Sequence, residues 1–161
     1  MSGKRDITWV ADTVVTQLKA SLPAKFTELE TEYGDSVDLE DIPTDNYFIS
    51  ERQLIPGFPM IAVIPENSDT TPFTGEVHYG IEYHTLTVAI FRTANEDEDV
   101  LKRQVSRTVR AVQEVILEHR TLGASVDDCI IMEKQYGPLL GAGNALLQEG
   151  QVTVRVQTSE N

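Results

Sequence analysis

The order of segments constrains this chain more than any single motif. Two amphipathic helical patterns enclose a long β-hairpin pattern, and two further β-patterns follow the second helix around a glycine-rich loop. Helices and strands grouped in this way favour an α+β domain, with a mixed or antiparallel sheet of about four or five strands and two main helices packed on one face. At 161 residues the chain fits one domain, 1–161, with flexible ends expected at 1–5 and 158–161.

The first helical pattern begins after Asp6, a residue type that can cap a helix. Pro23 is expected to kink or end this helix, and a second helical stretch then runs to Gly34. Trp9 lies on the side opposite the apolar stripe, so it either packs under a loop or anchors a contact with another protein. The stripe itself recurs at three- and four-residue spacing and consists of Ile7, Ala11, Val14, Leu18 and Leu22.

The central β-pattern contains two strands. Residues 58–64 form an apolar strand pattern, and residues 65–77 form a polar stretch that we expect to be a long connection. Residues 79–92 form the longest β-pattern, in which the apolar positions change from odd to even near His84. A β-bulge at that point, or a change in which face of the strand is covered, would account for the change.

The second helix has the strongest pattern. The acidic run 95–99 suits the positive end of a helix dipole, and Gly123 is expected to stop the helix. A strand from about Asp128 to Tyr136, a loop at 137–144 and a last strand should follow, the last alternating through Val152, Val154 and Val156. The apolar face of the helix consists of Leu101, Val105, Val109, Val112, Ile116 and His119.

The charge balance and the cysteine count exclude several classes of protein. Thirteen basic residues against 26 acidic ones give a net charge of −13, which disfavours sequence-specific binding to nucleic-acid phosphates. Cys129 is the one cysteine and lies in an apolar run, so we expect a buried, unreactive thiol. No apolar run approaches the roughly 18 residues of a membrane span, and no apolar signal segment opens the chain, which predicts synthesis in the cytoplasm.

Few residues have the spacing of a metal-binding, phosphate-binding or catalytic site. Glu76, His78, Glu82 and His84 share one strand parity, but the two histidines would be about 20 Å apart on an extended strand, too far for one metal ion. A solvated strand face is the simpler interpretation. The loop at 137–144 lacks the residues that define phosphate-binding glycine loops, and no serine, cysteine or histidine has a nucleophile's context. We therefore predict no cofactor, no metal and no enzymatic activity.

A row of arginines stands out in this acidic chain. Arg103, Arg107 and Arg110 lie on the polar face of the second helix. Asp99 with Arg103, and Arg110 with Glu114, have the spacing of helical ion pairs. The row is therefore either a solvated, self-paired face or a docking strip for an acidic edge of a neighbouring subunit.

The pattern as a whole resembles the tail-terminator family of long-tailed phages over about residues 7–157. The features that match are the first helix ending at Glu32-Tyr33-Gly34, the strand Phe58-Pro59-Met60-Ile61-Ala62-Val63, the aromatic strand 79–88, the acid-capped helix with Arg107, Ala111 and 115–117, the turn Thr121-Leu122-Gly123, and the closing segments 136–138 and 151–156. It is a likeness of pattern and length.

The resemblance implies a structural protein of the virion. Tail terminators form a ring, typically a homohexamer, that caps the tail tube, stops its polymerisation and joins the tail to the head connector at the neck. The implied partners are further copies of the chain, the tail-tube protein, connector proteins, and genomic DNA that passes without specific binding. Assembly would take place in the host cytoplasm, with no membrane. We select as candidate subunit or tube contacts Trp9, Phe73, Tyr79, Tyr83, Arg103, Arg107, Arg110, Leu139 and Leu140.

Three other functions stay open at this point. The chain could be another neck or head-completion adaptor, which binding to tail-tube protein would distinguish. It could be a small cytosolic enzyme, for which a metal or nucleotide should raise the melting temperature. It could also be an acidic mimic of DNA, which should form a salt-sensitive complex with a basic nucleic-acid-binding protein.

Overall fold

The computed structural model describes residues 6–50, 57–72, 80–95, 97–142 and 145–159. In chain order, the described elements are α1 (Ile7–Tyr33), a short 3-10 turn (Thr44–Asn46), β1 (Tyr47–Ile49), β2 (Met60–Pro72), β3 (Gly80–Asn95), α2 (Glu98–Glu118), β4 (Asp128–Tyr136), β5 (Leu140–Ala142) and β6 (Ala145–Ser159).

The strands form one mixed sheet in the order β1-β2-β3-β6-β4, and β5 pairs with β6 beside β4. β1 and β2 are parallel, and all other pairs are antiparallel. This confirms the predicted α+β class. The described sheet has six strands because β5 forms within the stretch 137–144, which the sequence analysis treated as a loop. β6 also reaches Ser159, so residues 158 and 159 pair with β3 and are not part of a free end.

Helix α1 is a single helix of 27 residues that includes Pro23. The carboxylate of Asp6 accepts a hydrogen bond from the backbone N–H of Trp9 at 2.8 Å, and Gly34 ends the helix with a φ of 62°. The prediction that Pro23 ends the helix is therefore wrong. A proline in a helix interior costs about 3 kcal/mol, but the fully buried neighbours Leu22 and Phe26 each contribute about 1.5–3 kcal/mol and hold both halves on the core.

Both helices pack on the same face of the sheet and enclose the main core. The apolar stripes of α1 and α2 meet strand side chains such as Ile61, Leu86 and Val154. In α2 the predicted stripe is buried from Leu101 to Ile116, and the helix ends at Glu118. On the face of the sheet without helices, a smaller apolar cluster contains Phe48, Met60, Ala62 and Ala89.

Strand β2 is longer than its sequence predicts. It continues through residues 65–72, which we had expected to be a polar connection, and pairs there with β3. The sequence of this part of β2 resembles a loop because side chains such as Asn67 and Asp69 are polar and exposed. The backbone hydrogen bonds to β3 hold the strand and need no apolar side chain.

The β-bulge lies in β2 and not at His84. The register of β2 against β3 shifts between Pro65 and Asn67, whereas β3 pairs with β6 without interruption from Ile81 to Asn95. The change of parity in β3 follows from which face is covered. His84 and the even-numbered residues after it face the helices, and Ile81 and Tyr83 lie on the other side.

Candidate interaction surfaces

Arg107 is buried and fastens α2 to the end of α1. Its guanidinium donates two hydrogen bonds to the Asp35 carboxylate, at 2.8 and 2.6 Å, and lies 3.8 Å from the centre of the Tyr33 ring. These hydrogen bonds lower the pKa of Asp35 to about 2. Only 8% of the surface of Arg107 is exposed, so its contacts lie mainly within the subunit.

The other two arginines of the row are more accessible. Arg110 donates to Glu114 at 3.1 Å, to Glu32 at 3.0 Å and to the Tyr33 hydroxyl at 2.9 Å. Arg103 pairs with Asp99 at 3.1 Å, and 51% of its side chain is exposed. Both predicted helical ion pairs are confirmed. Arg103 therefore offers the most exposed surface in the row, and its role in docking stays a prediction.

The segment that follows α1 is tied down by side chains that the sequence analysis did not single out. Arg92 donates to the backbone oxygen of Glu40 and to the Thr108 hydroxyl, both at 2.8 Å, and Gln104 donates to the backbone oxygen of Asp38 at 2.9 Å. Burial lowers the pKa of Arg92 to about 10. No local pattern marks Arg92, because its partners lie far away in the sequence.

The aromatic residues among the candidate contacts lie in different parts of the structure. Trp9 is half-buried and packs against the main core. Tyr83 lies half-buried on the helix-free face, where the Arg155 guanidinium stands 4.1 Å from the centre of its ring. Phe73 and Tyr79 lie outside the described residues.

The helix-free face carries a polar groove of about 580 Å³. It crosses four strands, and its charged side chains are Asp69, Glu133 and Arg155. A shallow polar groove on one face of an antiparallel sheet is typical of a solvated face. The lining consists of Asn67, Asp69, Thr85, Met132, Glu133, Thr153 and Arg155.

Leu139 and Leu140 lie at the outer side of the sheet, where β4 passes into β5. Leu140 is 56% exposed and Leu139 is half-buried. Tyr136, Met132 and Ile130 are also exposed along β4, so the two leucines belong to a longer apolar surface.

His84 is inaccessible to a metal ion from solvent. Its Nδ1 lies 2.8 Å from the Ser68 hydroxyl, its Nε2 lies 3.3 Å from the Thr158 hydroxyl, and its side chain is fully buried. Burial lowers the pKa of His84, so the ring is neutral near pH 7. The expectation of a solvated strand face is wrong for His84, because this parity faces the helices. Glu76 and His78 lie outside the described residues.

Cys129 is buried, which confirms the predicted burial, and burial raises the pKa of its thiol to about 12. Across the described ranges there is no cluster of metal-ligating residues, and no helix there is long and apolar enough to cross a membrane.

No protein-family profile and no curated protein matches the chain. Among solved structures, the chain is similar to one from the structure "Virion of native gene transfer agent (GTA) particle". The match has a TM-score of 0.43 and 7% sequence identity, and it covers 89% of this chain and 95% of the other. A likeness of this degree assigns neither a family nor a function.

Proposed function

We propose that this chain is a non-enzymatic structural protein of a phage virion, similar to tail terminators. In this proposal copies of the chain form a ring of about six subunits that caps the tail tube, stops its polymerisation and joins the tail to the head connector. The observation that carries the proposal is the order and residue pattern of the elements over residues 7–157, which resembles that of the family.

The arrangement of the domain is compatible with a ring subunit. The helices cover one face of the sheet, and in the part of the chain that is described β1 and β4 are its two outermost strands. In this proposal the mechanism is one of shape and charge.

The first test measures assembly. The native mass of the purified protein should be determined alone and with tail-tube protein, and large species should be imaged by negative stain. Rings of about six copies, or tubes capped at one end, are expected. A protein that stays monomeric and ignores tube ends would refute the proposal, and binding to connector protein alone would favour another neck adaptor.

The net charge of −13 leads to a second expectation. An acidic ring would let DNA slide through its lumen with little adhesion, because like charges repel. Replacing exposed carboxylates that line the lumen with amides should slow DNA passage, measured as the rate of genome release from assembled particles. An unchanged rate would show that the acidic charge does not serve passage.

A further inference from the structure

The outer strands β4 and β5 form one long edge of the sheet, which we call the β4–β5 edge. Both pair with β6 on their inner side, and within the described ranges no strand pairs with their outer side. β4 alone contributes nine residues, about 30 Å of strand. Such an edge presents backbone N–H and C=O groups that can pair with another strand.

The β4–β5 edge is also the most apolar part of the described surface. Among the large hydrophobic side chains that are exposed, Ile130, Met132, Tyr136 and Leu140 lie here, and only Tyr33 and Leu117 lie elsewhere in the described ranges. Residues 135–148 contain no charged side chain, in a chain that is 24% charged. An apolar surface of this kind on an acidic protein marks an interaction site.

The usual protection of an edge strand against pairing is weak here. Lys134 is the one basic residue of β4, and its ammonium group donates to the Gln113 side chain on α2 at 2.8 Å, so it is held over the helix-covered face. Asp128 is neutralised by Arg120, whose guanidinium lies 2.7 Å from it. The exposed Glu133 lines the groove on the helix-free face, and the register against β6 shifts between Ile131 and Glu133, so the first part of β4 keeps some protection and residues 134–136 with β5 have the least.

We propose that the β4–β5 edge receives a second copy of this chain, an inference that rests on the ring of the proposed function and names its subunit contact. A partner with basic patches would be attracted to exposed carboxylates such as Asp38, Glu40 and Asp41, and not to the uncharged stretch 135–148. Six of the ten lysines and arginines in the described ranges pair with a carboxylate of their own subunit, which reduces the positive charge that is available for ion pairs between copies. Contact through a surface with little charge also avoids the repulsion expected between chains of net charge −13.

The matching surface is at the other end of the sheet. β1 is the opposite edge, and its three residues, Tyr47, Phe48 and Ile49, carry no charge. Joining the β4–β5 edge of one copy to the β1 edge of the next uses two different surfaces. Contacts of this head-to-tail kind close into rings or continue as filaments, whereas a β4–β4 contact would stop at a dimer.

The test introduces positive charge at the edge. Met132→Lys with Leu140→Lys alters two side chains that are 53% and 56% exposed, so the subunit should fold. The control is Thr16→Lys with Ala20→Lys, two exposed positions on α1. Both double variants lower the net negative charge equally, and general repulsion between copies should therefore weaken in both.

Sedimentation velocity and circular dichroism are then measured for both variants and the unaltered chain. We expect the edge variant to sediment as a monomer with unchanged circular dichroism, at concentrations at which the other two are oligomeric. An oligomer that persists in the edge variant would overturn the inference and leave the ring itself intact. An unaltered chain that is monomeric at every concentration would also overturn it, and capping of tail tubes would then test the proposed function separately.

Mixing distinguishes a head-to-tail contact from a symmetric one. Ile49→Lys places a charge on the β1 edge, and because Ile49 is half-buried and packs against the main core, folding of this variant is checked by its melting temperature and circular dichroism. Mixed with the edge variant, it should form dimers only, because each partner supplies one intact edge. If the Ile49→Lys protein alone forms dimers and mixing yields no dimer that contains the edge variant, the contact is β4 to β4 and the β1 pairing is refuted.

Discussion

At the scale of single residues, Gly150 fixes how closely α2 approaches the sheet. A Cβ atom at this position would lie 2.6 Å from Val109 Cγ2 and 2.9 Å from Val105 Cγ1. Gly150→Ala should therefore lower the free energy of unfolding by about 1–3 kcal/mol, because the helix must shift. Urea unfolding measures the change. Gly141→Ala is the control, since its added Cβ would meet only Leu146 at 3.7 Å, and an equal loss there would exclude the steric explanation.

The contact of Asp35 with Arg107 should make the stability of the folded chain depend on pH. The pKa of Asp35 is about 2 in the folded chain and 3.8 for a free carboxyl, so its contribution is complete above about pH 4 and is lost as the pH falls towards 2. Asp35→Asn should lower the melting temperature at pH 6 by several degrees. The difference from the unaltered chain should shrink as the pH falls through that window.

The arginine partner supplies the control for this dependence. Arg107→Gln should lose the same pH dependence. The double variant, Asp35→Asn with Arg107→Gln, should be destabilised by less than the sum of the two single variants, because both substitutions break the same contact. A difference in melting temperature that stays constant from pH 6 to pH 2 would contradict the assigned pKa of Asp35.

Residues that act locally were predictable, and residues that act over long distances were not. The cap at Asp6 and the ion pair of Arg103 with Asp99 follow from positions only three or four residues apart. The burial of Arg107 depends on Asp35, which is 72 residues away, and no helical pattern contains that distance. A glycine inside the last strand pattern does signal a close approach of another element, and Gly150 fits that signal.

At the scale of elements, α1 tolerates a proline that its packing does not need. Pro23 is exposed on the outer side of the helix, and it removes one backbone hydrogen bond. Pro23→Ala should therefore raise the free energy of unfolding by about 1–3 kcal/mol, measured by thermal and urea unfolding. Ala20→Gly, at another exposed site of α1, should lower it by about 1 kcal/mol. A loss of stability in Pro23→Ala would show instead that α1 needs the bend that proline imposes.

The elements differ in how well their sequences identify them. Both helices and the paired parts of β3 and β6 carry apolar side chains at the spacing of their structure, because one face of each is buried. The second half of β2 and all of β5 are held mainly by backbone pairing to the neighbouring strands β3 and β6. Backbone pairing does not depend on an apolar pattern of side chains, so the sequences of these two segments resemble those of loops.

At the scale of the whole molecule, charge and apolar edges act against each other. A net charge of −13 drives copies apart, and the β4–β5 edge draws them together. Raising the salt concentration from about 0.01 M to about 1 M shortens the screening length from roughly 30 Å to 3 Å, so it should strengthen self-association. Sedimentation at several salt concentrations measures this. Dissociation with added salt would indicate an interface built on ion pairs, contrary to the contact inferred here.

The fold class followed from segment order alone, whereas the neighbours of each strand did not. An apolar pattern states that a strand is buried on one face, but it does not name the strand beside it. β6 lies between β3 and β4, and only the three-dimensional structure shows this order. The candidate contacts at Leu139 and Leu140 were identifiable as apolar loop residues, yet their connection to Met132 and Ile130 appears only when β4 and β5 align on β6.

The central place of β6 has a consequence for synthesis on the ribosome. β3 finds its second partner only in residues 145–159, after α2, β4 and β5 have been made. Until then one side of β3 and the inner sides of β4 and β5 have no strand to pair with, and the apolar face of α2 lacks much of its cover. Pairing over such a sequence separation is slow, and unpaired strands are exposed meanwhile to aggregation. The nascent chain should therefore be most prone to aggregation in the interval before β6 has been made.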